Sequence, residues 1–539
     1  MPKRVAEEQE EGEIKRVTDL DAKISGSYEG YVPEEEVTSI EVIEEPINDL
    51  EKQKFYDRYV LGRRPCKIKM RDDKFFDWNR LRSGNLLNSL SGDQIVQVEN
   101  KVDGGFGSGT KRLKMPFKEF LQRLSNGARD IYLTTQYEED NSGDDSESDD
   151  DFEETNHKMG DVTNDEQAAI RSKVSTRPVA DSGEETEHSE TFITALDHVP
   201  SDNESDFIDS HDDFDELAED SPVTTLSTGP LYEREIIQRI HELYQPPLTT
   251  IAGKLPTGVP FLSPLLTQQI NMWIGSTAKD TDDSFFTENF NPKDEKLGFG
   301  RRVPGGGSSS GLHHDHADNI YIPIEGRKRF TVFSPADAMK MYTVGEIEKV
   351  FLTGVINYKR NERAPLWRAL RDDGAIITEV AAHRLEVEAD SLSEEEAEQL
   401  RALIASENNT EDLPKPSDPP HFSKIPSAVL HMDEIKDQEL KDKIHQQVQN
   451  RWPLLKKANR IYIDVQPGEM LWLPCGWFHE VTSFGNSDNN SHVAVNYWFI
   501  PPNGKSMEYP YTASDRYWTL DYERTKIALS HYCKDAHQM

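Results

Sequence analysis

Apolar positions along this chain follow two periods in different places. Tyr232, Ile236, Ile237, Ile240, Leu243 and Tyr244 form one helical stripe and predict a helix over 231–244. Pro116 opens a second helix with Phe117, Phe120, Leu121 and Leu124 on one face, and Asn126-Gly127 stops it. Ile47, Leu50, Phe55, Tyr59 and Val60 suggest a third, ending at Gly62, followed by a short strand from Pro65 to Ile68. Short apolar runs bounded by turn residues read as strands at 131–135, 270–274, 312–315, 320–324, 330–333, 461–465, 470–473 and 493–499. Ser393 and Glu396 make a capping box for a helix through Ile404. Further helices are expected at 433–450 and 515–532.

Strands thus lie on both sides of a helical stretch, with helices at each end, and a small β-barrel or sandwich with helical decoration fits best. Residues 46–137 form the N-terminal part of the folded domain, 229–384 the first half of the barrel and 456–510 the second. Residues 385–455 read as a helical insertion, and 511–539 as a C-terminal helix. Two acidic stretches, 1–45 and 138–228, have too little apolar surface to offset the entropy of ordering and are expected to be disordered. Ser142, Ser146, Ser148, Ser201 and Ser205 each precede acidic residues there, a pattern that acidophilic kinases favour.

Charge narrows the classes of function. With 61 basic and 99 acidic residues the net charge is −38, which disfavours direct binding to DNA or anionic membrane and favours basic protein partners. Three widely spaced cysteines, Cys66, Cys475 and Cys533, make neither a disulfide framework nor a zinc reader module, and fit a reducing compartment, cytoplasmic or nuclear. No signal-like segment or membrane span is expected, and the oligomeric state stays open.

The chemistry concentrates between Ser308 and Pro335, SSSGLHHDHADNIYIPIEGRKRFTVFSP. Residues i and i+2 of a strand share a face roughly 6.6 Å apart, so His313 and Asp315 can reach one ion. A third ligand should come from a distant strand, and His479, beyond the Pro474-Cys475-Gly476 bend, is the candidate. Two His and one carboxylate leave coordination positions open, as in non-haem Fe(II) oxygenases. A 2-oxo acid bound there needs a fixed cation for its far carboxylate, and Lys328 on the neighbouring strand can supply it. The competing readings are a polar surface cluster, or His314 and His316 as the ligand pair of another class. Arg301 and Arg302 are expected to face water, Cys475 to serve the bend, and Trp472, Trp477 and Phe478 to lie in the core.

The set Ser310-Gly-Leu-His313-His-Asp315, Asn319, Gly326-Arg-Lys328, Pro474-x4-His479 and Val495-Asn496-Tyr497-Trp498 resembles the JmjC (cupin-8-like) Fe(II)/2-oxoglutarate-dependent oxygenase family. The resemblance covers about 46–137 and 229–510 and implies a mainly β fold, a double-stranded β-helix (cupin or jelly-roll) barrel with flanking helices. It implies Fe(II) on His313, Asp315 and His479, and 2-oxoglutarate as cosubstrate held by Lys328. Ser310, in place of the commoner Thr, would donate to the same carboxylate. Asn319 and Asn496 would line the cosubstrate pocket, and Tyr132 would contact that carboxylate, making the acidic block an insertion within the catalytic domain. The activity implied is a dioxygenase, foremost a hydroxylase of a protein side chain. The alternatives are a histone lysine demethylase, an enzyme acting on RNA, and a non-catalytic scaffold that binds basic partners through its acidic segments.

Overall fold

The computed structural model describes residues 28–71, 75–101, 105–106, 112–136, 231–277, 284–407 and 418–535. The expectations for 1–27 and for the acidic block 138–228 lie outside the described residues. In chain order the strands are β1 (Glu41–Glu44), β2 (Cys66–Lys69), β3 (Ile95–Asn100), β4 (Arg112–Pro116), β5 (Ile131–Leu133), β6 (Thr267–Ser276), β7 (Ser308–His313) and β8 (Asp318–Glu325). They continue with β9 (Arg327–Phe333), β10 (Ile347–Val350), β11 (Ile356–Tyr358), β12 (Ile461–Val465), β13 (Glu469–Leu473), β14 (Phe478–Phe484) and β15 (Ser491–Phe499).

One sheet has the order β1-β2-β13-β8-β15-β6-β5-β3-β4 and a second the order β12-β9-β14-β7, while β10 and β11 form a separate hairpin. Thus β6, β8, β13 and β15 lie in one wall and β7, β9, β12 and β14 in the other, the winding of a double-stranded β-helix, or jelly roll. The expected fold class is the observed one.

Both faces of the large sheet are covered, which is why its strands read as near-continuous apolar runs. On β8, Ile320, Ile322 and Ile324 pack outward against Phe55, Phe261 and other residues of the flanking segments. Val493, Val495, Tyr497 and Phe499 of β15 join the same layer. The alternate residues Tyr321, Ala494 and Trp498 turn inward with Phe330, Leu471 and Val481. A third apolar layer lies outside the small sheet, where Leu312, Phe333 and Phe478 meet Tyr358, Trp367, Ile425 and Leu440.

Several expectations are corrected. Order begins by Tyr28 rather than near Pro46: Tyr28 is buried, Tyr31 stacks on Trp477 at 6.4 Å, and β1 pairs in parallel with β2. A few apolar contacts thus anchor an otherwise acidic segment. The helix expected to run to Gly62 is α-helical only over Asp49–Phe55 and then widens to a π-helix over Tyr56–Val60; Ile47, before its N-cap, and Leu50, in its first turn, are exposed. In the helix Glu233–Leu243 the buried stripe is Ile240 and Leu243, with Tyr244 at its end, and Tyr232 and Ile237 face out. The helical region between the barrel halves includes Ile377–Val387, which straddles the expected boundary at 385, followed by Glu394–Glu407 and Gln438–Arg451. The terminal helix is Tyr517–Asp535, and it packs on Glu233–Leu243 through Arg239 to Asp521 at 2.8 Å. No helix among the described residues is long and apolar enough to cross a membrane.

A buried ion pair ties the π-helix to the barrel. Arg63, held at φ +50°, donates Nη1 to Asp318 Oδ2 at 2.8 Å, and its Nη2 reaches Asp318 Oδ1. Asp318 Oδ1 also accepts from the Cys475 backbone N–H at 2.8 Å, and the Arg63 carbonyl accepts from Trp477 Nε1 at 3.0 Å. Arg63→Met leaves the Asp318 carboxylate buried with its countercharge removed, and should lower stability by about 3–5 kcal/mol. Urea unfolding of the two proteins reads this directly, and a loss below about 1 kcal/mol would contradict it.

Candidate metal centre

The centre is assembled by strand register. β14 runs antiparallel to β7 with His479 opposite His313, and on its other side His479 faces Val332 of β9. Because β7 ends at His313, Asp315 stands in the loop to β8 rather than on a strand. That loop is fixed by the bend before β14, where the Gly476 N–H donates to the Asp315 carbonyl at 2.8 Å. Gly476 has φ +73°, and a Cβ there would meet the Gly354 carbonyl oxygen at 1.9 Å, so the bend requires glycine.

His313 Nε2 lies 3.7 Å from Asp315 Oδ1 and His479 Nε2 3.6 Å from Asp315 Oδ2. All three candidate ligand atoms fall within 4.8 Å of one another. His313 Nδ1 is 3.1 Å from the Gly311 carbonyl and His479 Nδ1 2.8 Å from the Trp477 carbonyl. A carbonyl only accepts, so each Nδ1 carries a proton and Nε2 is the atom each ring presents to the centre. Two imidazole Nε2 atoms and one carboxylate, buried and converging, suit a divalent transition-metal ion. Phe422 stacks on His313 at 4.9 Å and 10°, fixing its plane.

Beside His479, Glu480 is buried on the opposite face. Burial raises its pKa, but His431 at 2.8 Å, Ser309 at 2.6 Å and Thr482 at 2.8 Å outweigh this and hold it below the ordinary carboxylate range. His314 and His316 turn away from the centre. They are not on the surface: His314 Nε2 meets Tyr358 Oη at 2.7 Å and His316 Nε2 meets the Ile356 carbonyl at 3.1 Å.

Tyr132, Ser310, His313, Asp315, Asn319, Lys328, His479 and Asn496 all line one cavity of about 40 Å³ between the two sheets. Lys328 lies four residues along β9 from Val332, roughly 13 Å at strand rise, so its ammonium marks the end of the cavity away from the ligands. It donates to Tyr132 Oη at 3.0 Å and Ser483 Oγ at 2.6 Å. Burial pushes the Lys328 ammonium well below the ordinary lysine range, and the nearby Lys101 adds to this. Trp273 Nε1 donates to Asn496 Oδ1 at 2.9 Å, and Asn496 Nδ2 to Asn319 Oδ1 at 3.2 Å, which orients both amides. Ser310 Oγ accepts from Val481 N–H at 3.0 Å and donates to the Gly311 carbonyl at 2.8 Å, so its proton is directed at backbone.

Phe106, Trp273, Tyr321, Phe330, Val481 and Trp498 complete the lining and were not singled out from sequence for this role. Two of them carried a readable signal: Tyr321 is two residues after Asn319 and Trp498 two after Asn496, hence on the same strand faces. Arg301 corrects an expectation, since it is buried and not solvated. It donates to the Ser310 carbonyl at 2.9 Å and to Asp418 at 3.1 Å, and its guanidinium lies 4.6 Å from the Phe422 ring centroid. Arg302 is exposed, as expected.

The winding and this centre define a cupin-type metal site. The chain belongs to the Cupin-like domain family, whose model matches residues 52–505. It is 27% identical to "JmjC domain-containing protein 4" of Schizosaccharomyces pombe over 90% of each chain. It also matches "JmjC domain-containing protein E" of Dictyostelium discoideum, 44% identical over 50 residues, 9% of this chain and 14% of that one.

Removing the carboxylate should break the centre. Asp315→Ala is expected to weaken Mn(II) or Fe(II) binding by more than about 100-fold, since loss of even an outer partner of a ligand costs about 10- to 100-fold. Competition with a chromogenic chelator measures it, and a variant that binds the ion within a few fold of the parent would remove Asp315 from the ligand set.

Proposed function

We propose that this protein is an Fe(II)- and 2-oxoglutarate-dependent dioxygenase that hydroxylates a protein side chain. One observation carries the reading: a cavity with a His-Asp-His centre at one end holds, at the other, a buried lysine whose hydrogen bonds go only to hydroxyls among the described residues. An unpaired buried ammonium is expensive, and a ligand carboxylate would repay that cost. The reaction balances as 2-oxoglutarate, O2 and a substrate C–H giving succinate, CO2 and C–OH. O2 is the oxidant, with two of its four electrons coming from the 2-oxo acid and two from the C–H bond, and bound iron would activate it. His313, Asp315 and His479 would hold one face of the ion and leave the opposite positions open.

The protein's own residues do the rest. Lys328 and Tyr132 anchor the far carboxylate, Asn319 and Asn496 present oriented amides along the cavity, and apolar walls exclude water. The substrate we favour is a protein, with basic partners suited to the acidic charge of the chain. Three free thiols, Cys66, Cys475 and Cys533, are consistent with a reducing compartment, cytoplasmic or nuclear. The direct test is conversion of 2-oxoglutarate to succinate by the purified protein with Fe(II), ascorbate and cell extract. Turnover present in the parent and lost in His313→Ala supports the reading, and no turnover in either sinks it.

Lys328 adds a linkage test. An anion bound at its ammonium raises a pKa that is low in the free site, so binding takes up protons over the pH range between the free and bound values. Affinity is therefore highest below the free-site pKa and falls as pH rises through it. Calorimetry in buffers of different ionisation enthalpy should show this proton uptake, and its absence at every pH between 6 and 10 would contradict it. In the ligand-free protein the sign is separate. The unfolded chain keeps lysine protonated up to about pH 10.4 while the fold disfavours the charge, so Lys328→Met should raise Tm near neutral pH. The same variant should bind 2-oxoglutarate about 10- to 100-fold more weakly.

A further inference from the structure

The deep end of the cavity contains a donor that no backbone or side-chain group among the described residues answers. Tyr321 stands on β8 between Leu471 of β13 and Asn496 of β15, with its side chain on the inner face. Its ring packs edge-on against Phe330 at 5.3 Å, and Lys328 Nζ lies 5.7 Å from its centroid. The residue is 6% exposed and lines the cavity, yet its Oη is buried with no hydrogen-bond partner among the described residues. Burial pushes this phenol well above its ordinary pKa, with Tyr132 adding to the effect, so the hydroxyl keeps its proton and remains a donor.

A phenylalanine would fill the same space against Phe330 without burying an orphan hydroxyl, so the oxygen costs stability in the empty site. The other lining polar groups at this end each have at least one partner, though a hydroxyl that accepts keeps its own proton. Ser310 spends its proton on Gly311, Tyr132 accepts from Lys328, and Ser483 does the same. What the deep end offers among the described residues is therefore the Tyr321 O–H, the O–H of Tyr132, which has only accepted, and the remaining capacity of the Lys328 ammonium, which can donate three times and is used twice. Donors in excess call for a group that only accepts, and a carboxylate is such a group.

We propose that the Tyr321 hydroxyl is a direct hydrogen-bond donor to the distal carboxylate of a dicarboxylic 2-oxo acid, supplying the neutral contact that Ser310 does not. The assignment rests on the reading of the cavity as a 2-oxoglutarate site, and it makes Tyr321 a specificity-determining residue for the acid's far end. Lys328 sets the charge there, and Tyr321 fixes one carboxylate oxygen beside it.

The test is calorimetric binding of 2-oxoglutarate to the full-length, Mn(II)-loaded protein, comparing the parent with Tyr321→Phe, alongside Mn(II) affinity and Tm in the absence of the acid. The expected result is 2-oxoglutarate affinity reduced about 10- to 100-fold, the range for a hydrogen bond to a charged acceptor. Mn(II) affinity should be unchanged and the ligand-free Tm equal or higher, because only an unsatisfied oxygen has been removed. Affinity for 2-oxoglutarate within twofold of the parent overturns the assignment. So does a loss matched by an equal loss of Mn(II) affinity or by a fall in Tm, which would mark a packing role. A parent protein that binds Mn(II) but not 2-oxoglutarate overturns the functional reading itself, and this assignment with it.

Discussion

The metal centre depends on a contact that contains none of its ligands. Asp315 sits in the loop after β7 and His479 at the start of β14, 164 residues later (479 − 315). Asp318 closes the first loop and accepts from the Cys475 N–H in the second, while Gly476 donates back to the Asp315 carbonyl. Arg63 neutralises Asp318 and accepts from Trp477, so the π-helix Tyr56–Val60 and both ligand-bearing loops are joined at one buried charge. A carboxylate this deep is tolerated only with its guanidinium in place. The same pair explains why the N-terminal segment is part of the barrel rather than an appendage: without Arg63, nothing else described in the structure pays the charge on Asp318.

Within the barrel, the register that forms the walls also sets the spacing of the chemistry. His313 and His479 are opposite one another on β7 and β14, and Lys328 lies opposite Ser483, four residues deeper on the same pair of ladders. The cavity thus has two ends of different character fixed by hydrogen-bonded backbone before any ligand arrives. Each Nε2 is pre-aimed by a carbonyl behind its ring, and each amide of the Asn319 and Asn496 pair is oriented by the indole of Trp273. Preorganisation of this kind has a stability cost, which is concentrated in Lys328 and in the orphan hydroxyl of Tyr321.

Much of this was legible in the sequence, and the rest was hidden for definable reasons. Continuous apolar runs located β5, β6, β8, β13 and β15 of the large sheet because both of its faces are buried there, while β1, β3 and β4, toward its two edges, were not foreseen. β14 escaped because FHEVTSF places apolar residues only at every third position, without the period of two that marks a strand, and its buried polar members Glu480 and Thr482 are satisfied by one another, by Ser309 and by His431 from far along the chain. The residues that converge on the cavity could be named from motif spacing, but Arg301 could not be placed. Its partners are the Ser310 carbonyl and Asp418, separated from it by 117 residues in the latter case, and a charged side chain carries no sign of such a partner in its own neighbourhood. Similarly, Tyr28 and Tyr31 anchor a segment whose composition reads as unfolded, since two aromatic contacts outweigh an acidic background only when a surface such as Trp477 is there to receive them.

Arg301 also explains how the helical region between the barrel halves reaches the chemistry. Asp418 pairs with both Arg301 and Lys296 at 3.1 Å, and burial, which would raise its carboxyl, is outweighed by those two cations so that it stays ionised. The next few residues then run along β7: the Ser423 N–H donates to the Leu312 carbonyl at 2.8 Å, and Phe422 is laid flat against His313 under the guanidinium of Arg301. The insertion is therefore not a decoration set beside a finished barrel. It supplies one wall of the metal centre, docking through the charges at Asp418 and through the apolar layer of Ile425, Leu430, Leu440 and Ile444 against Leu312 and Phe478. Sequence changes in this region can alter access to His313 without touching a ligand, which is the physical route by which one barrel with one centre can be turned toward different substrates.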